Sequence, residues 1–348
     1  MKNVTIRDIA REAHVSVGTV SKYINGRTDI REKNRRAIGE AIARLGYSVN
    51  LVARTLAHKP IRIGVLLPSA PAEYFVPMEE GIQSAVCELA DHKVSAVISR
   101  YQDYYDDRRI SEAIEGFISR QVSGMILAPA RQLSFGSGES LPEKAGIPSV
   151  LVVSDTDSAR RLAYVGIDAA LSGRTAADLT ALLLSAQQSA AILIGSRRVT
   201  EHAIKADSYL KSCEERGLRT EGCFETRDDP AEAYRMTAQM IRERPSLRLI
   251  YVATGNSIGV CRAIEDAGRT GEMRVIATDL PRELEPFVRM GLVTATLNQH
   301  LREQGHRAVR VLYRYLTEGA IERTEIRFAP ELLLKSAMLE MWHAEEKS

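Results

Sequence analysis

From residue 61 onward, short apolar runs alternate with longer amphipathic stretches, and few folds accept that alternation. The runs Ile61–Leu67, Val94–Ile98, Met125–Ala128, Val150–Val153, Ala191–Ile194, Leu249–Ala253, Val275–Ala277 and Val293–Leu297 have the length and make-up of buried strands. Helix-like segments lie between them, near 78–91, 106–120, 169–186, 201–216, 231–243, 257–267 and 299–318. This predicts an α/β fold whose parallel sheets are wrapped by helices on both faces. Eight strands spread over nearly 290 residues suit two lobes better than one sheet. Ligands in such folds bind in the crevice at the carboxyl ends of the strands.

The first sixty residues are of another kind. They hold 12 Lys/Arg against 5 Asp/Glu, a net of +7, while the whole chain is only +2 and the rest is therefore −5. A small basic head on a mildly acidic body points to a polyanion reader joined to something else. Thr5-Ile6-Arg7-Asp8 resembles a capping box with Asp in place of Glu, and Ile6, Ile9, Ala10 and Ala13 follow at helical spacing. Ser16 is a second N-cap candidate, for a short helix from Val17 to Asn25 that buries Val20 and Ile24 and ends at Gly26. A third helix rests on Ala37, Ile38, Ala41, Ile42 and Leu45, with Gly46 closing it. Two short helices joined by a tight turn and braced by a third form a helix-turn-helix. Small hydroxyl residues at the second helix's start (Ser16, Thr19, Ser21) suit phosphate contacts, and its exposed face presents Val17, Gly18 and Lys22 to base edges.

Residues 3–57 resemble the headpiece of the LacI/GalR family of transcriptional repressors. The resemblance is carried by Asp8-Ile9-Ala10, the Val15–Ser21 block, Asn25-Gly26, Leu45-Gly46-Tyr47 and the run through Ala53, Arg54 and Leu56. It implies that Thr5, Ser16, Val17, Gly18, Thr19, Ser21, Lys22, Asn25 and Asn34 contact DNA. It also implies that residues 50–57 are a hinge helix, with Asn50, Ala53 and Leu56 in the minor groove and Leu56 as a wedge between base pairs. His14 stands where the family usually has Gly, so strain is expected at that turn. Lys22 replaces the usual Arg, trading a guanine fork for a point charge. Val49 replaces Pro. Val17 and Gly18 have almost no hydrogen-bonding capacity, although Val17 can touch a thymine methyl.

Nearly all of 61–340 resembles the periplasmic-binding-protein-like effector domain of the same family, in blocks such as IGVLLP, YVGIDAALSG and ATDLPRELEPFVRMGLVTATLNQ. The expected domains are a headpiece at 1–49, a hinge and linker at 50–59, and an effector and dimerisation domain at 60–348. Its two lobes are expected to be joined by three chain crossings. The resemblance places Tyr74 and Phe75 as an apolar plate for a sugar ring, with Asp155, Asn256, Asp279 and Gln299 as polar groups after strands. Each of these polar residues reads equally well as a turn or cap residue. Lys205 stands where many members carry a sugar-binding Arg, and Arg197 and Arg198 just upstream bring an anionic sugar derivative into view. The partners implied are near-palindromic double-stranded operator DNA, a small sugar-like effector and a second copy of the chain.

Other classes fit poorly. The four cysteines (Cys87, Cys213, Cys223, Cys261) are scattered without metal-ligand spacing, and neither a Walker loop nor a dinucleotide fingerprint is present, so no metal or cofactor is expected. No run approaches the ~18 apolar residues of a membrane span, and a signal-peptide core is lacking, so the expected location is the cytoplasm. The rival is enzymatic. Gly255-Asn256-Ser257-Ile258-Gly259 fits the nucleophile elbow of a serine hydrolase, with Asp279 and then His300 or His306 following in the right order. Both histidines fall in or near a long helix, no oxyanion segment lies upstream, and a non-enzyme is expected.

Overall fold

In the computed structural model of the chain, residues 4, 6–24, 30–45, 59–69, 72–102, 107–128, 140–155 and 160–345 are described. The chain divides into a headpiece and a body that begins at Ile61.

The headpiece has α1 (Ile6–Glu12), α2 (Val17–Ile24) and α3 (Glu32–Leu45). Each donates its apolar stripe to one small core of Ile9, Ala10, Ala13, Val20, Ile38 and Ala41. Such short helices are marginal alone, so this shared core is what holds them. Arg44 at the end of α3 reaches Glu12 at the end of α1, 2.8 Å away. At the turn from α1 to α2, His14 has φ of 51°, the left-handed conformation that glycine adopts without cost. Its side chain is exposed, so the strain is confined to the backbone.

The body holds two six-stranded sheets. The first contains β1 (Ile61–Pro68), β2 (Val94–Tyr101), β3 (Gly124–Leu127), β4 (Ser149–Val152) and β5 (Ala163–Ile167), with a late strand, β11 (Glu325–Phe328), at its edge. Its order is β11-β5-β4-β3-β1-β2, and every pairing is parallel. The second contains β6 (Ser189–Ile194), β7 (Arg219–Glu225), β8 (Leu247–Val252), β9 (Arg274–Thr278), β10 (Val293–Asn298) and β12 (Glu331–Leu334). Its order is β12-β10-β9-β8-β6-β7, parallel except that β12 runs against β10. The sheets are thus not wholly parallel.

All eight apolar runs are strands. β5, β7, β11 and β12 have no such signature: β7, β11 and β12 are edge strands carrying charge, and β5 is diluted by Ala163, Tyr164 and Gly166.

The chain passes from the first sheet to the second through α7 (Ala169–Leu183), back through α12 (Leu301–Glu318), and again between β11 and β12. Other helices cover the sheets: α4 (Ala72–Glu88), α5 (Asp107–Ser119) and the short α6 (Leu141–Lys144) in the first lobe. In the second are α8 (Thr200–Glu215), α9 (Pro230–Glu243), α10 (Ser257–Asp266), the short α11 (Glu285–Arg289) and α13 (Lys335–Glu345). Trp342 on α13 is 2% exposed and packs into the second lobe's core with Phe287 and Met338, so the C-terminal helix is part of that core. Among the described residues no helix is long and apolar enough to cross a membrane, and no His/Cys/Asp/Glu group is arranged to hold a metal.

Candidate functional site

Two places bring chemistry together. On the headpiece, Ser16 caps α2: its Oγ accepts the backbone N–H of Thr19 at 3.1 Å and lies 2.8 Å from Thr19 Oγ1. The cap satisfies one of the helix's free N–H groups and leaves the positive end of the helix at the surface. Val17 is 46% exposed, and Gly18 and Lys22 are also exposed, so the first turns of α2 show an apolar tip, bare backbone and a cation together. Ser21 on the same helix and Asn34 on α3 are half-buried. Thr5, Asn25, Asn50, Ala53 and Leu56 lie outside the described residues.

The second place is the crevice of the body. It holds about 460 Å³ of empty space, counting the part open to solvent. Its walls come from the carboxyl ends of strands in both lobes: Pro68, Ala128, Val153 and Ser154 on one side, Asp228, Ala253, Thr254 and Gln299 on the other. Tyr74 and Phe75 from α4 add ring surface, stacked edge to face at 4.8 Å, and Val199, Glu201, His202 and Lys205 come from the start of α8.

A buried polar chain runs through this wall. Lys205 Nζ lies 2.5 Å from Glu201 Oε1, one helical turn earlier, and donates to Gln299 Oε1 at 2.6 Å. Gln299 gives its backbone N–H to Asp279 Oδ1 at 3.0 Å and its Nε2 to Asp279 Oδ2 at 2.7 Å. The same Nε2 lies 3.3 Å from Tyr74 Oη, which joins the two lobes. Burial raises the Asp279 carboxyl to about 6, against the opposing pull of the Gln299 hydrogen bonds and of Lys205. Asp279 sits at φ 59°, so the chain turns sharply as it leaves β9 and aims the carboxylate at Gln299.

Close helix packing sets the position of Lys205. A Cβ on Gly173 of α7 would stand 2.5 Å from the carbonyl oxygen of Lys205, so only glycine lets α8 come this near. A second close approach places Asp228. Arg227 and Asp228 both adopt left-handed φ (55° and 56°), and the Arg227 N–H is anchored on Gly195 O at 2.7 Å. A Cβ on Gly195 would collide with the Asp228 carboxylate at 2.1 Å. Opposite, Val153 has φ of 69° with Ser154 N–H bonded to Val152 O at 2.8 Å, the rarer, strained form of γ-turn. A β-branched residue held there is a real outlier, and such outliers collect at ligand sites.

Of the seven sequence-derived effector residues, Tyr74, Phe75, Lys205 and Gln299 line the crevice. The other three do not. Asp279 stands behind Gln299 and orients it. Asp155 accepts from Arg161 with both oxygens (Nε and Nη2, 2.6 Å each). Arg161 also bonds Thr324 O at 3.1 Å, so this pair clamps β5 to the late strand β11. Asn256 is 1% exposed and gives its amide to Thr226 Oγ1 at 3.1 Å, within the second lobe. Sequence reading missed Glu201, His202, Asp228 and Thr254. Only Glu201 carried a signal, its spacing of four from Lys205.

The hydrolase reading has no geometry behind it. Ser257 is the first residue of α10, 1% exposed, and among the described residues its Oγ has no hydrogen-bond partner and so no base within reach. His306 is instead 3.0 Å from Glu88 on α4.

The comparisons with known proteins agree with this architecture. The profile of bacterial regulatory proteins of the lacI family matches residues 5–50, and that of a periplasmic binding protein domain matches 63–320. Catabolite control protein A of Priestia megaterium is 28% identical over 342 residues, covering 93% of this chain and 96% of that one. The HTH-type transcriptional regulator pepR1 of Lactobacillus delbrueckii subsp. lactis is 27% identical over 345 residues, covering 97% and 98%. Among solved structures, an ABC transporter solute binding protein of Bacillus halodurans with bound myo-inositol superposes with a TM-score of 0.72 at 19% identity, covering 83% of this chain and 99% of that one. With a lacI-type headpiece on a periplasmic-binding-protein body, matched from end to end by named transcriptional regulators, this chain belongs to the LacI/GalR family of bacterial transcriptional regulators.

Proposed function

We propose that the protein is a dimeric cytoplasmic repressor that grips a near-palindromic operator and is controlled by a small sugar-like effector held in the crevice. The domains divide as a headpiece at 1–49, a hinge at 50–59 and an effector and dimerisation domain at 60–348. Thr5, Ser16, Thr19, Ser21, Asn25 and Asn34 hold phosphates and set the register, while Val17, Gly18 and Lys22 meet base edges. Asn50, Ala53 and Leu56 act in the minor groove.

One observation carries the effector reading: Gln299, on the second lobe's wall, is bonded to Tyr74 of the first. A ligand that competes for these groups changes what holds the lobes together. Coupling of this type is typically ~1–3 kcal/mol, a 5–150-fold change in operator affinity. Tyr74, Phe75, Lys205 and Gln299 face the ligand, and Asp279 holds Gln299 in place. Myo-inositol in the solute binding protein of like fold is in keeping with a polyol ligand.

The test is selection of operator sequences by the full chain from a random library, followed by titration with and without sugars at fixed salt. Selection of a palindrome whose binding shifts at least fivefold with one sugar is the expected result. Recovery of no sequence preference, or binding of the selected site by residues 60–348 as tightly as by the full chain, overturns it.

A further inference from the structure

The crevice has a charge pattern that composition does not reveal. Among the described residues, besides the Tyr74 phenol, four acidic or basic side chains line it: Glu201, His202, Lys205 and Asp228. Lys205 is 1% exposed and already spent, with Glu201 at 2.5 Å and Gln299 Oε1 at 2.6 Å. His202 accepts the Ser196 N–H on Nδ1 at 3.3 Å, which leaves Nε2 as the protonated nitrogen of the neutral ring. Asp228 has one hydroxyl partner, Thr254, whose Oγ1 donates to Oδ1 at 2.5 Å, and no cation pairs with it among the described residues. The two arginines at the entry to α8 do not answer it. Arg197 is held by Asp207 at 2.7 Å, and Arg198 lines a separate surface hollow with Ser196, Glu225 and Arg227. The expectation of an anionic ligand, drawn from Arg197 and Arg198 in the sequence, therefore meets only Lys205 in the crevice, and that cation is already paired with Glu201 and Gln299.

We propose that the crevice selects a hydroxylated small ring carrying a protonated amine, an amino sugar in chemical class, with Asp228 as the counter-charge. This rests on the crevice being the effector site. When a ligand closes over Asp228, the carboxylate loses water. A neutral ring leaves that charge uncompensated, and a phosphate or carboxylate sets a like charge against it. An ammonium supplies the missing partner, and the rings of Tyr74 and Phe75 favour a cation beside an apolar ring face. Asp228 is one of two consecutive left-handed residues and lies close over Gly195, so the fold accepts backbone strain to put a carboxylate without a cation here. The remaining groups, Thr254 and His202, suit hydroxyls.

The test is calorimetry and thermal shift on the full chain at neutral pH with glucosamine, galactosamine and mannosamine. Each is set beside its parent hexose, hexose 6-phosphate and hexuronate. At least one amino sugar should bind at least tenfold more tightly than its parent hexose, and the anionic sugars more weakly than either. Asp228→Asn, which keeps an acceptor for Thr254, should lower amino-sugar affinity ~10–100-fold and leave the parent hexose within about threefold. Thr254→Val, which keeps the charge, should retain the preference. The ranking by the native chain stands as a test even if Asp228→Asn fails to fold. An anionic sugar binding best, a parent hexose matching its amine, or an amine preference that survives in Asp228→Asn overturns the proposal while leaving the crevice an effector site. No binding by any class overturns the effector reading itself.

Discussion

Lys205 and Glu201 form an ion pair with almost no access to water, Nζ and Oε1 2.5 Å apart and their side chains 2% and 3% exposed. A cation that the family resemblance assigns to the ligand is neutralised by its own helix. Such a pair gives little net stability, because desolvation offsets the attraction, but breaking it leaves a bare buried charge.

Glu201→Ala should therefore destabilise the body by ~3–5 kcal/mol, and Glu201→Leu with Lys205→Met should recover most of that loss. Urea denaturation of the three proteins measures it. A double variant no more stable than Glu201→Ala would show that the pair is needed as a pair.

Stability should carry the signature of Asp279. Its folded pKa is raised, by burial first, to about 6 from an ordinary 3.8, so between those values the folded state binds more protons than the unfolded. Stability therefore falls as pH rises through that window, and the whole penalty, on the order of 2–3 kcal/mol, is present above it. Asp279→Asn should flatten this slope. Matching urea midpoints for native and variant proteins from pH 4 to 7 decides it, and parallel curves would be the contrary result.

Arg161 fastens β5 to β11 through Asp155 and Thr324 O. Arg161→Met should cost ~1–3 kcal/mol, since it strands a partly buried carboxylate, and should leave effector affinity within about twofold. Loss of ligand binding at unchanged stability would return Asp155 to the crevice.

Gly173→Ala places a Cβ 2.5 Å from Lys205 O, which is backbone and cannot swing aside. We expect a loss of ~1–3 kcal/mol from overpacking and a weaker effector response, because α8 carries Glu201, His202 and Lys205. Thermal unfolding and ligand titration of the variant give both readouts.

On the headpiece, Val17→Ala should lower affinity for the selected operator by ~0.5–1.5 kcal/mol where a thymine methyl meets it, with nonspecific DNA binding unchanged. Ser16→Ala should instead cost ~0.5–2 kcal/mol of stability through the lost cap. Gel-shift titrations on specific and random duplexes, beside melting curves, separate the two effects.

The sequence by itself determined the eight buried strands, most of the helices and the helix-turn-helix, because burial on both faces of a strand or one face of a helix leaves a local period. The strain at His14 followed from the family resemblance, which has Gly at that turn, and the left-handed φ of 51° bears it out. The tertiary structure decided which polar residue serves which neighbour. Lys205 meets Gln299 across 94 positions, and no local pattern encodes that pair. Asp155 follows a strand as a ligand residue would, yet Arg161 bonds it, while Asp228, in a stretch that reads only as a helix start, reaches the crevice beside Gly195, just past the end of β6. Apolar periodicity is written along the chain because each element must bury its own surface. Charge compensation is settled only when distant elements come into contact, and that is where the site's selectivity resides.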